Sequence, residues 1–191
     1  MKILGISGTH RAEGNTDLLV KKALEVCGEE GAETEFISLS NKNIEFCTHC
    51  DICKESPHTC SIADDVAEIL EKMNNSNAII IGSPTYFASV SSRLKALFDR
   101  TLPLRRNKYQ LSGKLGGAIA IGGSRNGGQE FTTNQIRNWM FLHEMVVVAD
   151  KTTAHFGGIA VGRNPGDALE DETGLQTVEN LALKICDVLK G

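Results

Sequence analysis

Lys2-Ile3-Leu4-Gly5-Ile6-Ser7-Gly8-Thr9-His10-Arg11-Ala12-Glu13-Gly14-Asn15-Thr16 opens the chain. Residues 2–7 form a short, nearly continuous apolar run, the pattern of a strand covered on both faces. A glycine-bearing polar loop follows. A helical period then starts at Thr16, with Leu19, Ala23, Val26 and Cys27 on one face. Strand, glycine loop and helix start together make the first half of a βαβ unit. Parallel sheets are assembled from such units, with helices on both faces.

The rest of the chain repeats the pattern. Further apolar runs fall at 33–38, 78–82, 115–122 and 145–149. Between them lie segments of helical period. One begins near Asp64, which can cap it, and carries Val66, Ile69, Leu70 and Met73. The next carries Val90, Leu94, Leu97 and Phe98, and another Phe131, Ile136, Trp139 and Met140. The last covers 171–189, with Leu175, Val178, Leu181, Ala182, Ile185, Cys186 and Leu189. The expectation is an α/β fold: a doubly wound five-stranded parallel sheet of order 2-1-3-4-5, one domain over 1–191. Such sheets bind ligands beyond the C-terminal strand ends, at the switch point between strands 1 and 3. Segment 41–63 does not fit the alternation. It is far longer than a β–α loop of ~2–6 residues, so it reads as a functional insert after strand 2.

The totals agree with one ordinary domain: 191 residues, 41% hydrophobic and 23% charged. A net charge of −4 gives no basic surplus for a nucleic acid or an anionic membrane. No apolar run approaches the ~20 residues of a membrane span. The first residues lack the basic region and long apolar stretch of a signal peptide. The expected setting is the cytoplasm, with neither membrane nor nucleic acid as partner.

Three loops are expected at the ligand edge. In the first, backbone N–H groups and the positive end of the helix dipole make an anion cradle. Ser7, Thr9 and Thr16 add hydroxyls, Arg11 adds a forked charge, and Gly8 and Gly14 permit close approach. The loop is neither a P-loop nor a GxGxxG fingerprint. The second loop, Gly82-Ser83-Pro84-Thr85-Tyr86-Phe87, offers aromatics and a rigid proline to flank a planar ring. Core packing competes for Phe87. The third, Gly122-Gly123-Ser124-Arg125-Asn126-Gly127-Gly128-Gln129, is glycine-rich enough for backbone to approach a ligand face. Convergence of the three favours a cofactor with one phosphate and one flat ring.

Two stretches carry a resemblance. Ser7–Thr16, and Ser83-Pro84-Thr85-Tyr86 followed by Leu94-Lys95-Ala96-Leu97-Phe98-Asp99-Arg100, resemble the NAD(P)H-dependent FMN reductase superfamily, whose fold is flavodoxin-like. The likeness covers most of the chain. It implies FMN, with Ser7, Thr9, Arg11, Asn15 and Thr16 on the phosphate. Ser83, Pro84, Thr85, Tyr86 and Phe87 would then serve the isoalloxazine, with Gly123 and Ser124 closing over it. Members often have proline before the arginine, where this chain has His10, so no role carries over to His10.

The insert holds four of the six cysteines, as Cys47-Thr48-His49-Cys50-Asp51-Ile52-Cys53-Lys54-Glu55-Ser56-Pro57-His58-Thr59-Cys60. The C-x2-C-x2-C run can place three thiolates on one cubane, and the six residues before Cys60 let it fold back onto the same cluster. Cys27 and Cys186 fall on apolar helix faces and read as core residues. The spacing favours a [4Fe–4S] cluster. Zinc is the rival, with His49 or His58 completing a mixed site, although structural zinc usually takes two separated pairs. A disulfide is the third option and is disfavoured in a reducing cytosol.

Joined to the flavin loops, this run resembles the iron-sulfur flavoproteins of methanogenic archaea and other anaerobes, over essentially the whole chain. The resemblance implies a [4Fe–4S] cluster on Cys47, Cys50, Cys53 and Cys60, one FMN per chain and a homo-oligomer, a dimer or tetramer. It also implies a cluster near the FMN of a neighbouring subunit, and ferredoxin as donor. No catalytic side chain is assigned. Two other readings stay open: an NAD(P)H-dependent FMN or quinone reductase with structural zinc, and an FMN-binding redox sensor without turnover. Arg93, Lys95, Arg100, Arg105, Arg106, Lys108 and Lys114 form a basic stretch that can dock an acidic ferredoxin, or simply form a solvated face.

Overall fold

The computed structural model describes residues 1–191. Its elements run β1 (Lys2–Ser7), α1 (Asn15–Glu29), β2 (Glu33–Ser38), α2 (Val66–Asn74), β3 (Ala78–Pro84), α3 (Ser92–Asp99), α4 (Leu102–Arg106), β4 (Leu115–Gly122), α5 (Gln129–Leu142), β5 (Val146–Val147), β6 (Gly158–Val161) and α6 (Glu172–Lys190). All strand pairs are parallel, in the order β2-β1-β3-β4-β5, with β6 also paired to β4. The expected flavodoxin-like order is therefore present.

Alternation along the strands feeds two cores. Leu4, Ile6, Ile79 and Ile81 face α2, α3 and α5, while Ile3, Ala78, Ile80, Ile119 and Ile121 face α1 and α6. Both faces are covered, which is why the strands read as unbroken apolar runs. Cys27 and Cys186 are buried in the second core, as expected. Gly82 lets α1 lie close, since a Cβ there would sit 2.5 Å from Val20 Cγ2. No helix is long and apolar enough to cross a membrane.

The fifth sheet position differs in detail from the run expected at 145–149. β5 is only two residues long and pairs with Leu115 and Gly116. The chain then turns away through a loop in which Asp150 accepts from the His155 N–H and the Thr153 hydroxyl. It returns as β6 beside Ile119–Gly122. Gly157 makes the return possible: its φ is +147°, and a Cβ would lie 2.3 Å from the Ala118 carbonyl oxygen. Phe131 also departs from expectation. It is 66% exposed, and α5 packs instead through Ile136, Trp139 and Met140.

One buried polar chain braces the first core. Thr101 Oγ1 donates to Phe98 O at 2.8 Å and accepts from Trp139 Nε1 at 3.0 Å. Having given its only proton to Phe98, it also accepts from His143 Nε2 at 2.9 Å. His143 is thus the Nε2–H tautomer, and its Nδ1 is buried without a partner. Burial, then the Arg105 charge, lowers its pKa to about 4. Unfolded histidine titrates near 6.5. The folded value is depressed, so this contribution is complete above pH ~6.5 and is lost as pH falls toward 4. Urea unfolding at pH 7 and pH 4.5 should show His143→Gln losing less stability on acidification than the native chain, by about 2–3 kcal/mol. Equal losses would refute the assignment.

Candidate functional site

Two cavities gather the residues singled out in the sequence. The first lies beyond the C-terminal ends of β1, β3 and β4 and encloses about 240 Å³. Thr9, Arg11, Gly14, Asn15 and Thr16 line one side, Pro84, Thr85 and Tyr86 another, and Gly122, Gly123, Gly162 and Arg163 the third. Helix α1 starts here with no side-chain cap, so its first N–H groups are free for an anion. Thr9 Oγ1 shapes the turn by accepting from the Arg11 N–H at 3.1 Å. Asp17 accepts from the Glu13 N–H and the Ser38 hydroxyl, fixing the loop from below.

Not every expected residue reaches this cavity. Ser7 is fully buried at the strand end, and its hydroxyl has no partner. Ser83 is an internal brace: Oγ donates to Pro84 O at 2.8 Å and accepts from the Ser91 N–H at 3.0 Å. Phe87 neither lines the cavity nor enters the core. Phe87 and Ala88 both have positive φ, +50° and +57°, in a tight turn closed by Tyr86 and Ser89, and this turn pushes Phe87 wholly into solvent. Gln135 clamps the turn, accepting from the Ser89 hydroxyl and the Val90 N–H. Ser124 is exposed and contributes its carbonyl to Gln129. Asn15 lines the cavity, yet its side chain is engaged with residues 164–168, donating to Asn164 O and accepting from the Gly166 and Ala168 N–H groups. Arg163 escaped the sequence reading. It follows β6 and donates from Nε to Gly123 O at 2.9 Å, so it reaches the cavity only because β6 exists. His10 lies at the rim, its ring 6.1 Å from that of Tyr86. Burial, then the Arg93 charge, lowers its pKa.

The second cavity, of about 350 Å³, brings together Cys47, Cys50, Cys53 and Cys60. Arg100, Leu102 and Pro103 close its floor. His49, Asp51 and His58 adopt left-handed backbone, at φ +54°, +63° and +60°, which reverses the chain repeatedly within a short span. The thiols surround the cavity without closing on a point: no three His, Cys, Asp or Glu side chains are grouped to hold a single ion. Burial and the neighbouring Cys60 raise the Cys53 pKa, while a hydrogen bond with Ser61 lowers that of Cys50. His49 borders the cavity on the solvent side, and His58 Nδ1 lies 3.3 Å from Cys53 O.

Arg100, read from sequence as part of a basic surface, is 2% exposed. It pairs with Asp64, whose side chain is fully buried. Its Nη1 also donates to Glu45 O at 3.2 Å, and Nη2 to Ile62 O at 3.2 Å and Cys60 Sγ at 3.3 Å. Asp64 accepts in addition from the Glu45 N–H at 2.8 Å and from the Val66 N–H at 3.1 Å, but it does not cap α2: the residue at the cap position is Asp65, which makes no side-chain cap bond. Burial pushes the Asp64 carboxyl up, but the bonds from Arg100, Glu45 and Val66 outweigh it and hold the pKa below its ordinary value. The basic stretch thins further. Arg93 donates to Leu39 O and Lys42 O, Lys114 to Asn74 O and Ser76 O, and Lys95 pairs with Asp99. Arg105, Arg106 and Lys108 remain; the first two end α4, whose Leu102 and Pro103 line the thiol cavity.

Fold and loop cavity together define a flavodoxin-like flavin protein. A family model described as NADPH-dependent FMN reductase matches residues 1–157. An iron-sulfur flavoprotein of Methanocaldococcus jannaschii is 53% identical over 191 residues, covering 100% of this chain and 98% of that one. An iron-sulfur flavoprotein of Methanosarcina thermophila is 45% identical over 190 residues, covering 100% and 96%. Among solved structures, a flavodoxin from the domain Archaea aligns with a TM-score of 0.64 at 17% identity, covering 100% of both chains. An NADH:FMN oxidoreductase aligns with a TM-score of 0.70 at 17% identity, covering 98% and 89%. The chain belongs to the NADPH-dependent FMN reductase family and, within it, to the iron-sulfur flavoproteins; it is an oxidoreductase flavoprotein.

Removing one partner of a buried ion pair strands the other charge and costs about 3–5 kcal/mol. Asp64→Ala should lower urea-unfolding stability by that amount and expose residues 41–63 to limited proteolysis. A loss below about 1 kcal/mol, with the segment still protected, would contradict the role given to this pair.

Proposed function

We propose that this protein passes electrons from a reduced ferredoxin, through a [4Fe–4S] cluster on Cys47, Cys50, Cys53 and Cys60, to FMN in the loop cavity and on to an acceptor. The observation that carries the reading is the ring of four thiols around one cavity with a buried cation in its floor. A cubane takes its thiolates at separate corners, whereas a lone zinc needs them converged on one point. The C-x2-C-x2-C-x6-C spacing, which lacks two separated pairs, favours the cluster. When bound, the cluster supplies one-electron and FMN one- or two-electron chemistry.

The chain's own part is to bind and orient. Arg11, Thr16 and the uncapped start of α1 suit the FMN phosphate, and the unpartnered Ser7 hydroxyl marks a donor left over at the same loop. Thr9 and Asn15 hold the loops that form the cradle. Pro84, Thr85 and Tyr86 suit one face and edge of the isoalloxazine, with Gly123 opposite and Arg163 beside it. Ser83, Phe87 and Ser124 act on the site through the loops they belong to. Arg105 and Arg106 at the end of α4, with Lys108 close in sequence, offer positive charge to an acidic donor, and Leu102 of the same helix lines the thiol cavity. Phe46 and Ile52 on the insert, and Phe87 beside the flavin loops, are exposed apolar groups that suit a homo-oligomer, a dimer or tetramer. Segment 41–63 is then the cluster-binding insert of a single domain over 1–191. Four free thiols, two exposed and two partly buried, suit the reducing cytoplasm.

Anaerobic purification followed by iron, sulfide, zinc and flavin analysis tests the reading. It should return about four iron, about four sulfide and about one FMN per chain. Zinc without sulfide would replace it with an NAD(P)H-dependent flavin or quinone reductase carrying a structural metal. Both cofactors without sustained electron flow to any acceptor would make the protein a redox sensor.

A further inference from the structure

Arg100 does more than the ion pair requires. Its pairing with Asp64 and its bonds to Glu45 O and Ile62 O account for the closure of the segment's base. One donor remains committed elsewhere: Nη2 also reaches Cys60 Sγ at 3.3 Å. A further N–H, on Nε, is buried and has no acceptor on the protein. Arg100 lines the cavity shared by the four thiols and is 2% exposed, so water screens its field very little. None of the other three cysteine thiols receives a bond from a charged group; the Cys50 thiol is bonded by the Ser61 hydroxyl and by neutral neighbours.

A donor to a ligating sulfur, and a positive charge beside it, stabilise the more negative, reduced form of an iron–sulfur cluster, and both raise its potential. On the reading of the cysteines given above, we infer that Arg100 is a positioning and tuning residue for the cluster: through Cys60 it sets the ligand's orientation and raises the cluster's reduction potential. The step it governs is the gain of one electron from a ferredoxin-class donor. No bond forms or breaks, and the added charge is spread over a cluster whose Cys60 ligand is already polarised by the guanidinium. Asp64 belongs to the device as well. It keeps the guanidinium charged at depth and aims it, and it also offsets part of its field.

Two variants separate tuning from scaffolding. Arg100→Lys keeps the charge beside Asp64, but a single ammonium cannot serve Asp64, two carbonyls and Cys60 as the fork does. The double variant Arg100→Gln/Asp64→Asn removes both charges, so no buried charge is stranded, and net charge is unchanged. Cluster loading is read from iron and sulfide content, and the cluster midpoint from a redox titration followed by electron paramagnetic resonance. The flavin midpoint is read separately from absorbance. Both variants, loaded with cluster, should show the cluster midpoint lowered by the equivalent of about tenfold in the reduced-to-oxidised ratio, about 59 mV for one electron, with the flavin midpoint unmoved. A cluster midpoint equal to that of the native protein in either loaded variant would overturn the inference. So would failure of both variants to load, which would make Arg100 a builder of the cavity only. If the native protein itself contains no iron and sulfide, it is the assignment of the cysteines that has failed, before Arg100 is tested.

Discussion

Arg100 and Asp64 form an ion pair sealed from solvent at the point where the cysteine segment leaves the sheet and returns to it. Both strands of that neck are tied to the pair, Glu45 through its N–H and its carbonyl, and Ile62 through its carbonyl. Asn43 and Asp65 add two bonds across the same neck, and Ile44 packs against the core. The segment's longest regular element is a single turn at Ile52–Lys54, and none of that turn is buried. Buried charge is costly unless fully bonded, and here four of the five guanidinium N–H groups meet four acceptors: Glu45 O and Asp64 Oδ2 from Nη1, Ile62 O and Cys60 Sγ from Nη2. The geometry of the thiol cavity is thus set from inside the fold and not by the exposed loop.

Helix α3 carries that constraint to the flavin side. Its N-cap, Ser91, donates to Gly8 O in the first loop and accepts from the Leu94 N–H. Arg93 holds Leu39 O and Lys42 O at the start of the cysteine segment. Arg100 follows directly after its last residue. One helix of eight residues, about 12 Å at 1.5 Å per residue, therefore has an anchor in the flavin loops at one end and in the thiol cavity at the other. On the proposed function, a rigid spacer between the two cavities suits electron transfer, where the protein contributes distance and surroundings and the cofactors the chemistry. The Phe87 turn, strained at two successive positions and clamped by Gln135, stands beside the same loops and is held as firmly.

The sheet was legible because both its faces are buried: Ile79, Ile80 and Ile81 announce a central strand whatever surrounds them. β6 was harder to see because four residues between glycines carry no period, and because an earlier apolar run at 145–149 already filled the fifth place. Missing it hid Arg163. The cysteine cavity followed from spacing alone, since C-x2-C-x2-C leaves few ways to arrange thiols. Arg100 did not. In sequence it is one basic residue among seven, and only tertiary structure shows that it is buried while Arg106 is exposed. Phe87 shows a related limit: an aromatic in a ligand loop invites stacking, and its exposure follows from two consecutive left-handed residues that turn it outward. Side-chain direction in a tight turn depends on backbone dihedrals that residue identity fixes only for glycine and proline.

On the proposed electron path, the thiol cavity is the entry for electrons that reach the flavin. Anaerobic stopped-flow reduction by a reduced low-potential ferredoxin, followed at the flavin absorbance, tests this directly. Cys60→Ser is the informative comparison, provided the variant keeps its FMN. The native protein should be reduced rapidly, and the variant at least tenfold more slowly. Equal flavin reduction rates in the two proteins would contradict the account.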